Sequence, residues 1–449
     1  MTAPQTICLG FLAVILVGTV LLLLPFSRTD VAAEEGFGIA VVTALFTMTS
    51  GVCVTGLSVV DVGTYYSFWG QLILLSLIQV GALGYMTANT VLLLLIGRRM
   101  GLKSRVALQQ TLDIANLGGV MPLLRSIIAT TVLFQLTGII LLMTVFTPDY
   151  GLAQGLWLAT FHSVNAFDNA GFSLFPTGLV AYVASPLLNG VVTLLIIFGG
   201  LGYQVIIELY LWLRHRLSGT ACHREFSLHF KIVTSMTWML LLFGMLMFLI
   251  TEFNNPATLD NLDFSHKLLA AWFQSVTSRT AGFNTIDIGN MARSGLFLTA
   301  ILMFIGASPG STGGGVKTTT LRVLINCTKS ALQGRDEVLC YQRKIPDSLI
   351  LKAVGVILGS AVVVCTATFL VSFAQQNLEF GEILFEVVSA FATVGLSTGI
   401  TAKLTIFSRL VIIVTMYIGR VGVLLLMLAF FGDPKPSVID YPEENLLVG

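Results

Sequence analysis

A chain of 449 residues that is 55% hydrophobic and 10% charged, with a mean hydropathy of +0.89, carries more apolar surface than one soluble core can hide. That balance excludes a soluble enzyme or a nucleic-acid-binding domain and makes the lipid bilayer the first expected partner. The formal net charge of +1 points to no polyanionic partner.

Crossing about 30 Å of hydrocarbon takes about 20 helical residues. Apolar runs near 5–25, 68–97, 121–147, 187–214, 229–252, 295–325, 347–374 and 406–431 meet that length and predict an all-α integral membrane protein with eight transmembrane spans. The first run lacks a basic leader, and no clear cleavage site stands before Ser27 and Arg28, so it is read as retained. Cys8, Cys53, Cys222, Cys327, Cys340 and Cys365 are scattered, with neither disulfide nor zinc spacing.

Basic residues gather in alternate connections: Arg98, Arg99, Lys103 and Arg105; Arg214, Arg216, Arg224 and Lys231; Lys329, Arg335, Arg343 and Lys344. The positive-inside rule places these in the cytoplasm, and with eight spans both termini lie there too. Acidic residues such as Asp30, Asp61, Asp149, Asp287 and Glu379 mark the outward connections.

Each outward connection holds an apolar stretch too short to span, followed by a glycine in a small-residue turn. They read ALFTMTSGVCVTGLSVVD from Ala44, LWLATFHSVNAFDNAGFSLF from Leu156, AAWFQSVTSRTAGFNTID from Ala270 and FEVVSAFATVGLSTGI from Phe385. Gly56, Gly171, Gly282 and Gly395 are 115, 111 and 113 residues apart, the signature of a repeat. A related pattern returns in the helix that follows, as QVGALGYMT from Gln79, FGGLGYQV from Phe198 and IGRVGVLLL from Ile418. The third unit instead reads IGASPGSTGGGVKTTT from Ile305.

The prediction is four fused units of helix, re-entrant pore helix with filter loop, and helix around one central pore. Residues 1–100, 101–219, 220–330 and 331–432 form the units, and 433–449 a cytoplasmic tail. Backbone carbonyls can replace the water around a monovalent cation, and glycine permits the dihedrals that aim them inward. A half-helix ending at such a loop turns its partially negative end to the pore. Non-helical backbone at that depth is tolerated where it lines a water-filled cavity.

The chain resembles the Trk/Ktr/HKT superfamily of potassium transporters, most closely its KtrB-type membrane subunits. The likeness rests on VTGLSVVD at 54–61, FHSVNAFDNAGFSLF at 161–175, RTAGFN at 279–284, ATVGL at 392–396, the stretch 305–316, IGRVG at 418–422 and YPEENLLVG at 441–449. It implies a K⁺ uptake subunit in the cell membrane that works as a homodimer on a cytoplasmic ring of nucleotide-binding KtrA-type subunits. It also implies an activity that Na⁺ can activate. K⁺ is the transported ion, no covalent cofactor is expected, and nucleotide sits only on the partner.

The filter would comprise Val54, Thr55 and Gly56; Asn169, Ala170 and Gly171; Thr280, Ala281 and Gly282; and Thr393, Val394 and Gly395, with K⁺ at the four glycines. The gate would comprise Gly306, Ala307, Ser308, Gly310, Ser311, Thr312, Gly313, Gly314, Gly315, Lys317 and Arg420. A packing site for close helices is the other reading of the Gly-rich stretch. Its resemblance to a phosphate-binding loop fails, because Val316 separates Gly315 from Lys317 and no strand precedes it. Arg420, midway along the last span, needs a partner; it either pairs with Glu208 or bonds carbonyls of the intramembrane loop. Lys317 is a second control point or snorkels to the cytoplasmic interface.

Asp168 departs from the uncharged residue usual in the superfamily; it either concentrates cations at the outer mouth, bonds locally to the filter backbone, or has no transport role. Arg279 is read as a positioning residue and His162 as a structural histidine. Trp69, Trp157, Trp212 and Trp272 are interfacial anchors or packing. An inverted-repeat transporter and a membrane enzyme are the rival classes. Four like-oriented units argue against the first, and the lack of a catalytic set argues against the second. Within the superfamily, a transporter that passes Na⁺ as well as K⁺, or a cation symporter, is the alternative.

Overall fold

The computed structural model describes residues 2–33, 35–84, 120–218 and 225–432. The first repeat contains α1 (Ala3–Leu23), α2 (Phe37–Val52) and α3 (Phe68–Leu83). The second contains α4 (Val120–Tyr150), α5 (Leu152–Asp168), α6 (Pro186–Leu201) and α7 (Tyr203–Leu217). The third contains α8 (Leu228–Glu252), α9 (Phe264–Thr277), α10 (Arg293–Phe304) and α11 (Thr318–Leu332). The fourth contains α12 (Asp347–Ala374), α13 (Phe380–Phe391), α14 (Ile406–Val421) and α15 (Val423–Phe431). A two-stranded hairpin, Leu339–Cys340 with Arg343–Lys344, joins the third repeat to the fourth.

Every repeat opens with a long helix. Pro4–Leu23, Ser126–Tyr150, Leu228–Glu252 and Asp347–Ala374 are each apolar and long enough to cross a membrane. Large apolar side chains such as Leu133, Ile140, Leu242, Leu358 and Phe369 stand exposed on them, the surface a lipid solvent would cover. The protein is a multi-pass membrane protein.

The second helices differ from the unbroken spans that the apolar runs predicted. The α6–α7 pair bends by 104° at Gly202 and the α14–α15 pair by 91° at Gly422. Gly202 and Gly422 hold φ of 90° and 89°, and α3 ends at Gly84 with φ 81°. A left-handed residue ends a helix, and only glycine adopts it without steric cost. The third repeat therefore shares its interruption with the second and fourth. It differs in having 305–317 between α10 and α11 where those two turn on one residue. The predicted tail at 433–449 and Arg98, Arg99, Lys103, Arg105 and Arg224 lie outside the described residues.

Three residues before each breaking glycine is another: Gly81, Gly199 and Gly419. A Cβ on any of them would run into the carbonyl oxygen of the last pore-helix residues, Val52, Phe167 and Phe391. In lipid, where burial alone does not drive helices together, such close backbone approach supplies the attraction. Serines add to it: Ser163 donates to the Gln135 carbonyl at 2.8 Å and Ser275 to that of Leu241 at 2.7 Å, tying pore helices to the long helix before them. Ser67, Ser185 and Thr405 cap the second helices α3, α6 and α14 by accepting from Gly70, Leu188 and Ser408 backbone N–H groups.

These contacts separate two glycines on the same helix. Gly199→Ala places a methyl group against a carbonyl that cannot yield, so unfolding should become easier by about 1–3 kcal/mol. Gly190 faces open space, so Gly190→Ala should hold or raise stability, by up to about 1 kcal/mol from helix propensity. Thermal unfolding of both variants in detergent checks the contrast.

Candidate functional site

The four short helices α2, α5, α9 and α13 all stop just before the predicted filter residues. The residue two before each glycine then takes a left-handed conformation: Val54 at φ 58°, Asn169 at 58°, Thr280 at 65° and Thr393 at 52°. Such strain costs of order 1–3 kcal/mol at a non-glycine residue and persists only where its surroundings enforce it. Here the next backbone N–H reaches back into the pore helix, from Thr55 to Ser50 O at 2.7 Å, Ala170 to Asn165 O at 2.9 Å, Ala281 to Thr277 O at 3.1 Å and Val394 to Ser389 O at 2.9 Å. The glycines follow with φ of 93°, 70°, 81° and 92°. Ser50 and Ser389 also accept from the N–H of Gly56 and Gly395, at 3.0 and 3.1 Å.

The four segments meet in a closed ring. A Cβ built on Gly56 would lie 2.5 Å from Ala170 O, and one on Gly171 2.8 Å from Ala281 O. On Gly282 it would meet Val394 O, and on Gly395 Thr55 O. Each glycine thus faces the carbonyl before the glycine of the next repeat, and the fourth returns to the first. A side chain at any of them would break the ring. All four glycines line one cavity of about 540 Å³, on the side predicted to face outward.

On the other side of the ring lies the Gly-rich segment between α10 and α11. It folds on itself through Ala307 N–H to Gly314 O at 3.3 Å and a bridge between Ile305 and Val316. The second repeat holds it by Ser308 N–H to Gly200 O at 3.1 Å, Thr312 N–H to Gly199 O at 3.2 Å and Tyr203 N–H to Gly310 O at 3.1 Å. In the fourth, Thr393 Oγ accepts from Gly314 N–H at 3.1 Å. Arg420 donates from Nη1 to Thr312 O and from Nη2 to Gly81 O and, at 3.3 Å, Ala82 O. The loop is therefore fastened to the first repeat as well, through one guanidinium. Arg279 Nη2 donates to Gly306 O at 3.3 Å.

The family described as "TrkH: Cation transport protein" matches residues 12–441. This chain belongs to that family. It is 38% identical over 448 residues to the "Ktr system potassium uptake protein B" of Bacillus subtilis (strain 168), covering 100% of this chain and 97% of the relative. Identity to the Vibrio alginolyticus protein of the same description is 37%, over 99% of this chain and 95% of that one. The "Potassium/sodium uptake protein NtpJ" of Enterococcus hirae is 36% identical, with 99% and 97% covered. The crystal structure of the potassium transporter TrkH from Vibrio parahaemolyticus matches with a TM-score of 0.70 and 18% identity, over 93% of this chain and 84% of that one, a likeness of fold. Members of this family are membrane cation transporters and not enzymes.

Within that frame, several side chains take places the sequence left open. Arg420 makes no pair with Glu208, whose carboxylate instead accepts from Ser227 N–H and Oγ at 3.2 and 2.7 Å. Lys317 does not reach outward: its Nζ donates to Gly313 O at 2.7 Å, inside the loop. Asp168 is away from the outer mouth and off the filter backbone. It is fully buried, its Oδ1 accepting from Gln79 Nε2 at 3.4 Å and Gln135 Nε2 at 3.3 Å. The reason is register: Asp168 is the last residue of α5 and faces α3 and α4, not the axis. His162 is satisfied, with Nδ1 on Leu158 O at 2.8 Å and Nε2 on Ser173 Oγ at 3.1 Å. Trp157 and Trp272 join repeats, donating to Gln71 Oε1 at 2.8 Å and Thr193 Oγ at 3.4 Å.

Two acids that the filter motifs did not single out line the outer cavity instead. Asp61 and Asp287 each lie five residues after a filter glycine, in the first and third repeats, on opposite sides of the ring. Both carboxylates also hold a local turn, accepting from Gly63 and Gly289 N–H. A cation at the outer mouth feels both. Replacing both by asparagine should raise the apparent KM for cation uptake by roughly two- to tenfold at low ionic strength, as expected for losing two charges from a cavity whose dielectric lies between those of water and protein. The effect should shrink in salt. Uptake measured against cation concentration at two ionic strengths checks it.

Proposed function

We propose that this chain mediates K⁺ uptake across the cell membrane. K⁺ would pass through a filter made by Val54–Gly56, Asn169–Gly171, Thr280–Gly282 and Thr393–Gly395, bound at the level of Gly56, Gly171, Gly282 and Gly395. The closed ring of glycines, each against the carbonyl of the next repeat, carries this reading. Carbonyl oxygens replace hydration water without adding charge. The four pore helices end at the ring and turn the negative ends of their dipoles toward it, which favours a cation over an anion. The relatives named for potassium uptake support the choice of ion. The four units, bounded as in the sequence reading, would each supply one quarter of the wall.

In this reading the loop from Gly306 to Gly315, with Lys317 and Arg420, is the gate. It sits directly beneath the ring, and its carbonyls hold two cationic side chains there. A fixed guanidinium in a low-dielectric passage raises the barrier to a second cation. Opening requires the Arg420 bonds to Thr312 O and to the end of α3 to break together. A homodimer on a cytoplasmic ring of nucleotide-binding KtrA-type subunits would drive that change, with both termini of this chain in the cytoplasm and Na⁺ as an activator. The Ktr system names of the relatives support a multi-subunit arrangement. Passage of Na⁺ as well is the second reading, supported by the potassium/sodium uptake relative.

Uptake of K⁺ or radioactive Rb⁺, with and without Na⁺ and a co-expressed regulatory subunit, in cells lacking their own K⁺ uptake tests the function. Uptake above background is expected, and its absence under all four conditions refutes the reading. Arg420→Ala should raise flux without the regulatory subunit; unchanged flux and gating would remove the arginine from the gate. Gly56→Ser should lower K⁺ over Na⁺ discrimination, read from competition between the two ions.

A further inference from the structure

The pore helices also reach outward, past the filter. Nine residues before each filter glycine stands a pore-helix side chain that is almost wholly buried: Thr47, His162, Phe273 and Glu386. Three are polar, and a buried polar group must be paired. Each of the three finds its partner on the segment that leaves the filter. Tyr66 Oη donates to Thr47 Oγ at 3.2 Å, Ser173 Oγ lies 3.1 Å from His162 Nε2, and Thr401 Oγ donates to Glu386 Oε1. In the third repeat Phe273 has no such group, and the bond comes from one turn further on, where Thr277 Oγ donates to Phe283 O at 2.5 Å. All four repeats therefore carry a polar strut from pore helix to post-filter segment, although the residue type differs in each.

The chemistry of the struts is directional. His162 Nδ1 faces a carbonyl, Leu158 O, which can only accept, so that nitrogen carries the proton and Nε2 is left to accept from the Ser173 hydroxyl. Ser173 Oγ in turn accepts from Phe175 N–H at 3.0 Å. In the fourth repeat Thr401 Oγ also lies 2.8 Å from Ser397 Oγ, and Ser397 accepts from Gly399 N–H at 3.0 Å. Ser173 and Ser397 are both two residues after their filter glycine and both line the outer cavity. Their positions are thus set from behind by His162 directly and by Glu386 through Thr401.

We propose that Thr47, His162, Thr277 and Glu386 are positioning residues for ion selectivity, bracing the backbone just outside the filter so that the ring cannot shrink onto a smaller cation. The proposal rests on the filter reading above. Na⁺ is smaller than K⁺ and gains only if the carbonyls close in on it. The struts oppose that movement because in the second and third repeats the glycine is followed, two residues and one residue on, by an atom bonded to the rigid pore helix. In the first and fourth repeats the brace acts from further along, through Tyr66 and Thr401, with Ser397 joined to Thr401.

The test uses the full-length protein in proteoliposomes, with K⁺ and Na⁺ uptake measured separately and expressed as a ratio. Ser173→Ala removes only a hydroxyl and Thr401→Ala a hydroxyl and one methyl group, and each should raise Na⁺ relative to K⁺ by roughly two- to tenfold, the factor set by one net hydrogen bond. Glu386→Leu should do the same, while Glu386→Gln, whose amide oxygen still accepts from Thr401, should keep the parent ratio. A brace that matters only for folding would lower both ions together and leave the ratio fixed. Unchanged ratios in Ser173→Ala and Thr401→Ala, in protein that still transports K⁺, would overturn the proposal. Gly56→Ser separates the two ideas: if it shifts the ratio and the hydroxyl variants do not, the struts fail alone, and if it too leaves the ratio unchanged, the filter reading fails with them.

Discussion

Four stretches of non-helical backbone lie among the pore helices of a membrane protein, where lipid offers their polar groups no hydrogen-bond partner. Much of the structure follows from meeting that demand. Each stretch folds back on its own pore helix through one N–H and then presses a glycine against the carbonyl of the next. The contact works only as a closed ring, because the fourth repeat must meet the first. The long helices, the second helices and their paired glycines hold the pore helices at the spacing the ring requires. Gly81, Gly199 and Gly419 bring α3, α6 and α14 against the ends of α2, α5 and α13.

A nearly fourfold frame carries unlike chemistry at equivalent points. Three residues before the filter glycines stand Cys53, Asp168, Arg279 and Ala392, one acid and one base among them. Asp168 turns toward amides of Gln79 and Gln135, whereas Arg279 turns toward the loop of its own repeat. The middle of the glycine pair in the second helices is likewise unequal: Ala82, Gly200 and Arg420. A small residue there leaves space, and the arginine fills it by spanning from α14 to the end of α3 and to the loop. Symmetry thus serves the ring, and its breaking serves what lies beneath it.

Among the described residues the loop is held by ordinary hydrogen bonds, none of them to a carboxylate. Each hydrogen bond is worth about 1 kcal/mol net, so the set is stable together but can be released by a modest bias spread over a few helices. The sharp turns at Gly202 and Gly422 lie next to these bonds, with Tyr203 bonded to Gly310 O and Arg420 two residues before Gly422. Movement of the segments beyond those turns therefore acts directly on the loop. Packed, discrete contacts of this kind favour two arrangements over a continuum.

Much was legible from residues alone. Hydropathy marked the long first helices because spanning lipid requires uninterrupted apolar length, and the period of the four glycines marked the pore segments because each repeat needs the same dihedral at the same place. The family resemblance, seated on those same motifs, agreed with the comparison over residues 12–441. Less legible were partners. Nothing local in IGRVG says whether Arg420 meets Glu208 or Thr312, since the two alternatives differ only in how distant helices pack. For Asp168 the residues left three roles open, and only the packing of α5 against α3 and α4 shows it buried on two amides, whereas Asp61 and Asp287, the acids that end the stretches VTGLSVVD and GFNTID, line the cavity. The sequence by itself determined the solvent and the repeat with its four glycines, which depend on composition and on spacing along the chain. Only the tertiary structure decided the closed ring, the bends at Gly202 and Gly422 and the fastening of the loop. The ring contacts and the Arg420 bonds join residues more than a hundred positions apart, fixed by which backbones can approach closely enough to touch.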